Sequence, residues 1–161
     1  RLQAEWGVVS AYDELCADLG DRMSGAVVQA MVGDGVEMMI GATADPAFGH
    51  LVALGAGGTL VELLGDVAFR LHPLTDVEPE AMLAELRCAK LLHGFRGSAP
   101  VDAARLKDAI LRVSVLLEIC PEIRELDVNP LKVREKGISA LDARIRIDQL
   151  GQTSASLRIS Y

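Results

Sequence analysis

Aromatic side chains are scarce in this chain: one Trp, two Tyr and three Phe make up 4% of its 161 residues. With so little aromatic bulk, the core has to be built from Val, Leu, Ala, Ile and Met, and a composition that is 50% apolar supplies them. Cysteine is also rare. Cys16, Cys88 and Cys120 form no Cys-x-x-Cys pair, which argues against a disulfide framework and a thiolate metal site and fits buried thiols in a reducing cytoplasm. Basic charge is in deficit, with 16 Lys and Arg against 23 Asp and Glu and a formal charge of −7. Nucleic acid and anionic membrane are therefore excluded as expected partners, because both need a basic footprint. No apolar run reaches the roughly 20 residues of a membrane span, and no signal peptide is visible. The chain starts at Arg1 without a Met and is expected to be a piece of something longer. Its length suits one domain or two small lobes, enough for a sizeable core.

In chain order, Val8, Tyr12, Leu15, Cys16 and Leu19 recur at helical spacing, and Gly20 is a plausible stop. Residues 26–32 read as a buried strand. Gly33-Asp34-Gly35 then forms a short link to a second strand at 36–43, which predicts a hairpin. Asp45 to Gly49 is a turn, and 50–54 is a third strand. Gly55-Ala56-Gly57-Gly58 follows, then a short run at 59–64. Pro79 suits the first turn of a helix that continues through Met82, Leu83, Leu86, Ala89 and Lys90. Asp102 is an N-cap for a helix whose apolar stripe is Leu106, Ala109, Ile110, Val113, Leu116 and Leu117. Pro121 ends it. The predicted class is α+β, a mostly antiparallel sheet with helices packed on one face. Residues 1–147 form the structured lobe and 148–161 a polar tail or linker.

The stretch with the most chemistry is Glu125-Leu126-Asp127-Val128-Asn129-Pro130-Leu131. In an extended strand, residues two apart share a face. Glu125, Asp127 and Asn129 then project from one side and Leu126 and Val128 from the other, and Pro130 ends the ladder or sits at an edge. A turn at Glu135-Lys136-Gly137 leads into a returning run, Ile138 to Leu141, that delivers Asp142. Such a hairpin brings Asn129 and Asp142 side by side. Oxygen donors on one strand and a carboxylate on its neighbour make a hard-cation site of the kind Mg²⁺ takes. The plainer alternative is a turn at Asn-Pro with a solvated acidic face.

Glu125 through Leu131, followed by Leu141-Asp142-Ala143-Arg144, resembles the end of an ATP-grasp domain, in particular that of the NDP-forming acyl-CoA synthetases related to the succinyl-CoA synthetase β subunit. The resemblance implies that the chain is the C-terminal lobe of an ATP-grasp fold. It implies that Asn129 and Asp142 hold the nucleotide's Mg²⁺, with Glu125 and Asp127 adjacent to the metal or orienting its waters. Val28-Gln29-Ala30-Met31-Val32 resembles the hinge strand that meets the adenine edge, which marks Gln29, Met31 and Val32 as nucleotide contacts. The run from Glu37 to Gly49 resembles the sheet that lies against the nucleotide, with His50 standing where most relatives have Pro. Gly57-Gly58, with Glu62, Asp66 and Phe69-Arg70-Leu71, resembles the Gly-Gly-x-x-x-Glu segment bordering the active site. Glu62 would then orient the reacting phosphoryl histidine or a metal-bound water, and Arg70 would offer charge to phosphate. Alone, the four residues 55–58 read as a tight turn, since they lack the P-loop and dinucleotide spacings.

The same resemblance implies what lies elsewhere. The family needs a first ATP-grasp lobe with a phosphate-binding lysine, a CoA-binding domain and a mobile histidine. His50, His72 and His93 do not match that histidine, and Lys90, Lys107, Lys132 and Lys136 do not match that lysine. The expected cofactors are ATP or ADP, Mg²⁺ and CoA, with CoA held outside this chain. The expected reaction makes acyl-CoA from a carboxylic acid, CoA and ATP through acyl phosphate and phosphohistidine, in the cytoplasm, with the isolated chain inactive and oligomerisation open. A second reading is a synthetase-like regulatory region fused to a GNAT protein acetyltransferase, binding ligand without turnover.

Overall fold

A computed structural model describes residues 5–58 and 65–148. The chain divides into two units, residues 1–33 and 34–161. In the first, α1 spans Glu5–Leu19 and a single 3₁₀ turn, Gly20–Arg22, closes it. Gly20 adopts φ +53°, a left-handed conformation that glycine enters without a Cβ penalty, so the expected stop is where the helix ends.

The strand expected at 26–32 is not formed. Residues 23–33 carry no helix or strand, and Val27, Val28 and Met31 are 83%, 69% and 71% exposed. Apolar, β-branched sequence is suited to a strand but becomes one only against a partner, and no described strand pairs with this segment. The hairpin predicted between 26–32 and 36–43 is therefore absent. Gln29 is exposed and Val32 half-buried on this irregular stretch.

The second unit is one antiparallel sheet with helices on one face. Its elements are β1 (Val36–Asp45), β2 (Gly49–Ala56), β3 (Val67–Leu71), α2 (Glu78–Glu85), α3 (Ala103–Ile119), β4 (Ile123–Val133), β5 (Ile138–Ala140) and β6 (Ala143–Ile147). The order across the sheet is β3-β2-β1-β4, and β5 and β6 follow one another along the outer edge of β4. β1 and β2 meet through the turn that Asp45 stabilises, its carboxylate accepting from the N–H groups of Ala47 and Phe48 at 2.8 and 2.9 Å.

Alternation along β1 and β2 sets the two faces of the sheet. Met38, Ile40 and Ala42, with Val52, Leu54 and Ala56, turn inward and pack against Met82, Leu83, Leu106, Ile110 and Leu117. The apolar stripe predicted on α3 faces this core through Leu106, Ile110 and Leu117, and Asp102 caps the helix by accepting from the Arg105 N–H at 3.1 Å. Ile110 is fully buried; Ile110→Val, which removes one methylene, is expected to cost about 1 kcal/mol in a urea denaturation. The helix expected from Pro79 to Lys90 breaks at Leu86, whose ψ of 132° is extended, and a 3₁₀ segment Arg87–Leu91 follows. The other face of the sheet, carrying Met39, Gly41, Thr43, Ala53 and Phe69, is covered by no described helix of this unit.

Candidate functional site

β4 is bonded on both sides, to β1 and to the β5–β6 edge, and both ladders are disturbed at the same place. Between Met38↔Leu131 and Ile40↔Val128, two residues of β4, Asn129 and Pro130, lie opposite the single residue Met39. This is a β-bulge, a device that locally bends a strand and re-aims its side chains. Pro130 thus neither ends the ladder nor occupies an edge, because β4 continues to Val133. It is tolerated because the bulge is where a ladder bond is already lost.

On the opposite side, the outer strand is interrupted at the same level. β5 ends at Ala140, β6 begins at Ala143, and Leu141 and Asp142 span the break. Two backbone bonds seal it: the Asn129 N–H donates to the Asp142 carbonyl at 3.1 Å, and the Leu141 N–H to the Pro130 carbonyl at 2.9 Å. Asn129 and Asp142 are therefore neighbours, as the hairpin argument requires.

The Asn129 amide oxygen accepts the Gly58 N–H at 3.0 Å. Asp142 is half-exposed, with Arg144 Nη2 at 3.3 Å from its carboxylate. Glu125 pairs with Arg146 across the β4–β6 ladder at 2.9 Å. Glu125 and Asp127 stand opposite Thr43 and Gly41, on the helix-free face, and among the described residues the Asp127 side chain makes no hydrogen bond or ion pair. Glu37 pairs with Lys132, its register partner, at 3.0 Å. Lys132, which the sequence pattern does not single out, is only 17% exposed.

Among the described residues no three His, Cys, Asp or Glu side chains cluster tightly enough to cage a metal ion. The pair of Asn129 amide oxygen and Asp142 carboxylate is nonetheless a fitting donor set for Mg²⁺, which takes one or two carboxylates and completes its shell with water and phosphate oxygens. The Asp142–Arg144 contact is exposed and exchanges at little cost.

Arg70 is placed differently from the other candidates. It is paired in register with fully buried Val52, so it projects from the helix-bearing face, where its guanidinium binds Glu85 of α2. It does not share a face with Asp127. Glu62 lies outside the described residues. Gly57 and Gly58 close the end of β2: the Gly57 N–H donates to the Glu37 carbonyl at 2.8 Å, and a Cβ on Gly57 would collide with the Met38 carbonyl. A cavity of about 890 Å³ opens beside Glu37 and Gly57, walled by Val36, Ala56, Leu91 and Phe95. Cys88 also lines it, but burial, then Asp66, push its thiol up to about 12, so it is no nucleophile at neutral pH.

A family model described as an ATP-grasp domain matches residues 1–147. The chain is 42% identical over 124 residues to acetate–CoA ligase [ADP-forming] I of Archaeoglobus fulgidus, covering 77% of this chain and 18% of that protein. It is 40% identical over 124 residues to acetate–CoA ligase [ADP-forming] II subunit beta of Pyrococcus furiosus, covering 75% of this chain and 52% of that subunit. Among solved structures, it resembles the dinucleotide forming acetyl-coenzyme A synthetase 1 of Ca. Korarchaeum cryptofilum in complex with coenzyme A and Mg-AMPPCP. That match has a TM-score of 0.82 and 40% identity over 92% of this chain and 66% of that one. The chain thus spans about half or less of the length of these two curated relatives.

Proposed function

From the membership of this chain in the ATP-grasp domain family, we propose that it is the nucleotide- and Mg²⁺-holding part of an ADP-forming acid–CoA ligase, which makes acyl-CoA from a carboxylic acid, CoA and ATP. The observation that carries this reading is the pairing of Asn129 with Asp142, produced by a bulge on one side of β4 and a strand break on the other. Pro130, which has no N–H to give the ladder, accounts for the bulge; what supports the metal reading is that the two irregularities bring an amide-bearing and a carboxylate-bearing residue together.

In this reading Asn129 and Asp142 hold Mg²⁺, which would neutralise charge on the nucleotide's phosphates. Asp127, unpaired on the helix-free face, orients metal-bound water. Glu125 is kept by Arg146 at a distance from that role. The helix-free sheet face gives a flat, partly apolar bed for the nucleotide, through Met39, Gly41 and Ala53. Phosphoryl transfer needs little covalent chemistry from the protein, so positioning and charge neutralisation are what this lobe contributes. Acyl phosphate, phosphohistidine and CoA chemistry belong to other domains or a partner chain. That some relatives are separate β subunits supports this division.

The relatives named above are ligases, which favours turnover over the regulatory, acetyltransferase-linked alternative. No helix among the described residues is long and apolar enough to cross a membrane, which fits action in the cytoplasm.

The test uses the full-length protein with Mg²⁺ and γ-labelled ATP. An acid-labile, base-stable phosphoenzyme is expected, discharged on adding acid and CoA, with ADP and acyl-CoA formed in equal amounts. Nucleotide bound without any label would favour the regulatory alternative, and neither binding nor label would leave this lobe a scaffold.

A further inference from the structure

Gly58 stands at the centre of a small network that reaches Asn129. Its N–H is the donor to the Asn129 amide oxygen. A donor there fixes which way the amide points: the oxygen must face Gly58, and the amide NH₂ is turned elsewhere. Gly58 itself is held in an unusual conformation, φ +66°, and a Cβ on it would collide with a Glu37 carboxylate oxygen. That carboxylate is pinned in turn by Lys132 at 3.0 Å, and the Glu37 carbonyl accepts the Gly57 N–H at 2.8 Å. Glu37 therefore holds Gly57 through its backbone carbonyl, and its carboxylate, paired with Lys132, occupies the space where a side chain on Gly58 would have to go.

We infer that Gly58, held by the Glu37–Lys132 pair, is a positioning group for Asn129, setting its amide oxygen so that one lone pair receives the Gly58 N–H and the other is presented to the metal. This inference rests on the proposed Asn129–Asp142 metal site and deepens it. It reassigns Glu37 and Gly58, expected from the sequence to touch the nucleotide, to a role exercised through Asn129. A carbonyl oxygen has two acceptor sites, so the Gly58 bond and a metal bond can coexist. The gain is preorganisation. An unrestrained Asn amide has two roughly equivalent orientations, and only one offers oxygen to a cation. Partners of this outer kind typically carry a tenfold to hundredfold share of metal affinity.

The test is a titration of the full-length protein with Mn²⁺, followed by its paramagnetic resonance signal in the presence of AMPPCP, beside a titration of AMPPCP without metal. Gly58→Ala is expected to weaken Mn²⁺ binding by about tenfold and to leave metal-free AMPPCP affinity unchanged. Lys132→Met, which frees the Glu37 carboxylate without touching the backbone, is expected to weaken Mn²⁺ in the same direction by less. Gly49→Ala is the strain control. Gly49 sits at the opposite end of β2 with φ +81° and open space around it, so it carries a similar backbone cost with no link to Asn129. Asp142→Ala tests the metal site itself.

Mn²⁺ affinity lost in Asp142→Ala but kept in both Gly58→Ala and Lys132→Met overturns the positioning role and leaves the metal site standing. Equal losses in Gly58→Ala and Gly49→Ala also overturn it, as general strain. Unchanged affinity in Asp142→Ala removes the metal site, and this inference with it.

Discussion

Asp142→Ala in the full-length protein is expected to reduce acyl-CoA formation about a thousandfold while leaving metal-free nucleotide binding in place. The magnitude follows from the role. A metal that neutralises charge on a transferring phosphoryl group supplies several kcal/mol in the transition state, and about 1.4 kcal/mol is tenfold in rate. Asp142 is the acidic residue whose backbone carbonyl accepts the Asn129 N–H. Because that tether is backbone, alanine keeps the bend and removes only the charge. The loss should therefore appear in kcat, with the melting temperature almost unmoved, since Asp142 is half-exposed and its contact with Arg144 lies at the surface. Glu125→Gln sets the contrast: its carboxylate already serves Arg146, and its effect should be far smaller. Steady-state ADP release measures both variants. A loss below tenfold in Asp142→Ala would remove Asp142 from the metal.

Asp66→Ala is expected to destabilise the fold by about 3 kcal/mol without entering the chemistry. Asp66 is 6% exposed, yet carries a charge. Its two carboxylate oxygens accept the N–H groups of Arg87 and Cys88 at 2.9 and 2.7 Å, capping the 3₁₀ segment that follows α2. Alanine would leave two donors without their protein partner, one buried and one part-buried beside the cavity, at roughly 1–3 kcal/mol each. Burial alone would raise the Asp66 carboxyl, but the Arg87 and Cys88 N–H groups, the Cys88 thiol and the Arg87 charge outweigh it, and the carboxyl is held below its ordinary value. A group depressed in the folded state contributes stability that is fully present above its unfolded value, about 3.9, and is lost as pH falls through its folded one. Urea denaturation should therefore show the wild type losing this contribution below about pH 4, while Asp66→Asn has a shallower slope over that window, left by carboxylates such as Glu80, Glu85 and Asp102 that are also held below their ordinary values. Wild type and Asp66→Asn with the same pH slope there would overturn the assignment.

The features that sequence made legible are those governed by neighbours along the chain. The Asp45 turn, the Asp102 cap and the stripe on α3 depend on residues a few positions apart, and each is found where its local chemistry puts it. The neighbourhood of Asn129 and Asp142 was legible for the same reason: a turn near Gly137 returns the chain at a fixed distance. What could not be read depends on distant partners. Residues 26–32 have strand composition, but pairing decides strands and no described strand meets them. Pro130 looks like a ladder's end until the bulge opposite Met39 is known. Arg70 sits between Phe69 and Leu71 in a strand whose facing depends on β2, and only its register with Val52 shows that it points toward α2. The bond from Gly58 to Asn129 joins residues 71 positions apart, and no local pattern announces it.

The placement of Asn129 and Asp142 has a mechanical consequence. Asn129 sits at a bulge in a strand that is laddered on both flanks before and after it, so the sheet on either side limits its movement. Asp142 sits in a two-residue hinge between short outer strands, exposed along its length and tied inward by two bonds. The result is a vice with one stiff jaw and one compliant jaw. In the proposed metal site, the stiff jaw would fix where a cation is gripped. The compliant jaw would take up small changes of bond length and angle around that cation, without the sheet having to deform.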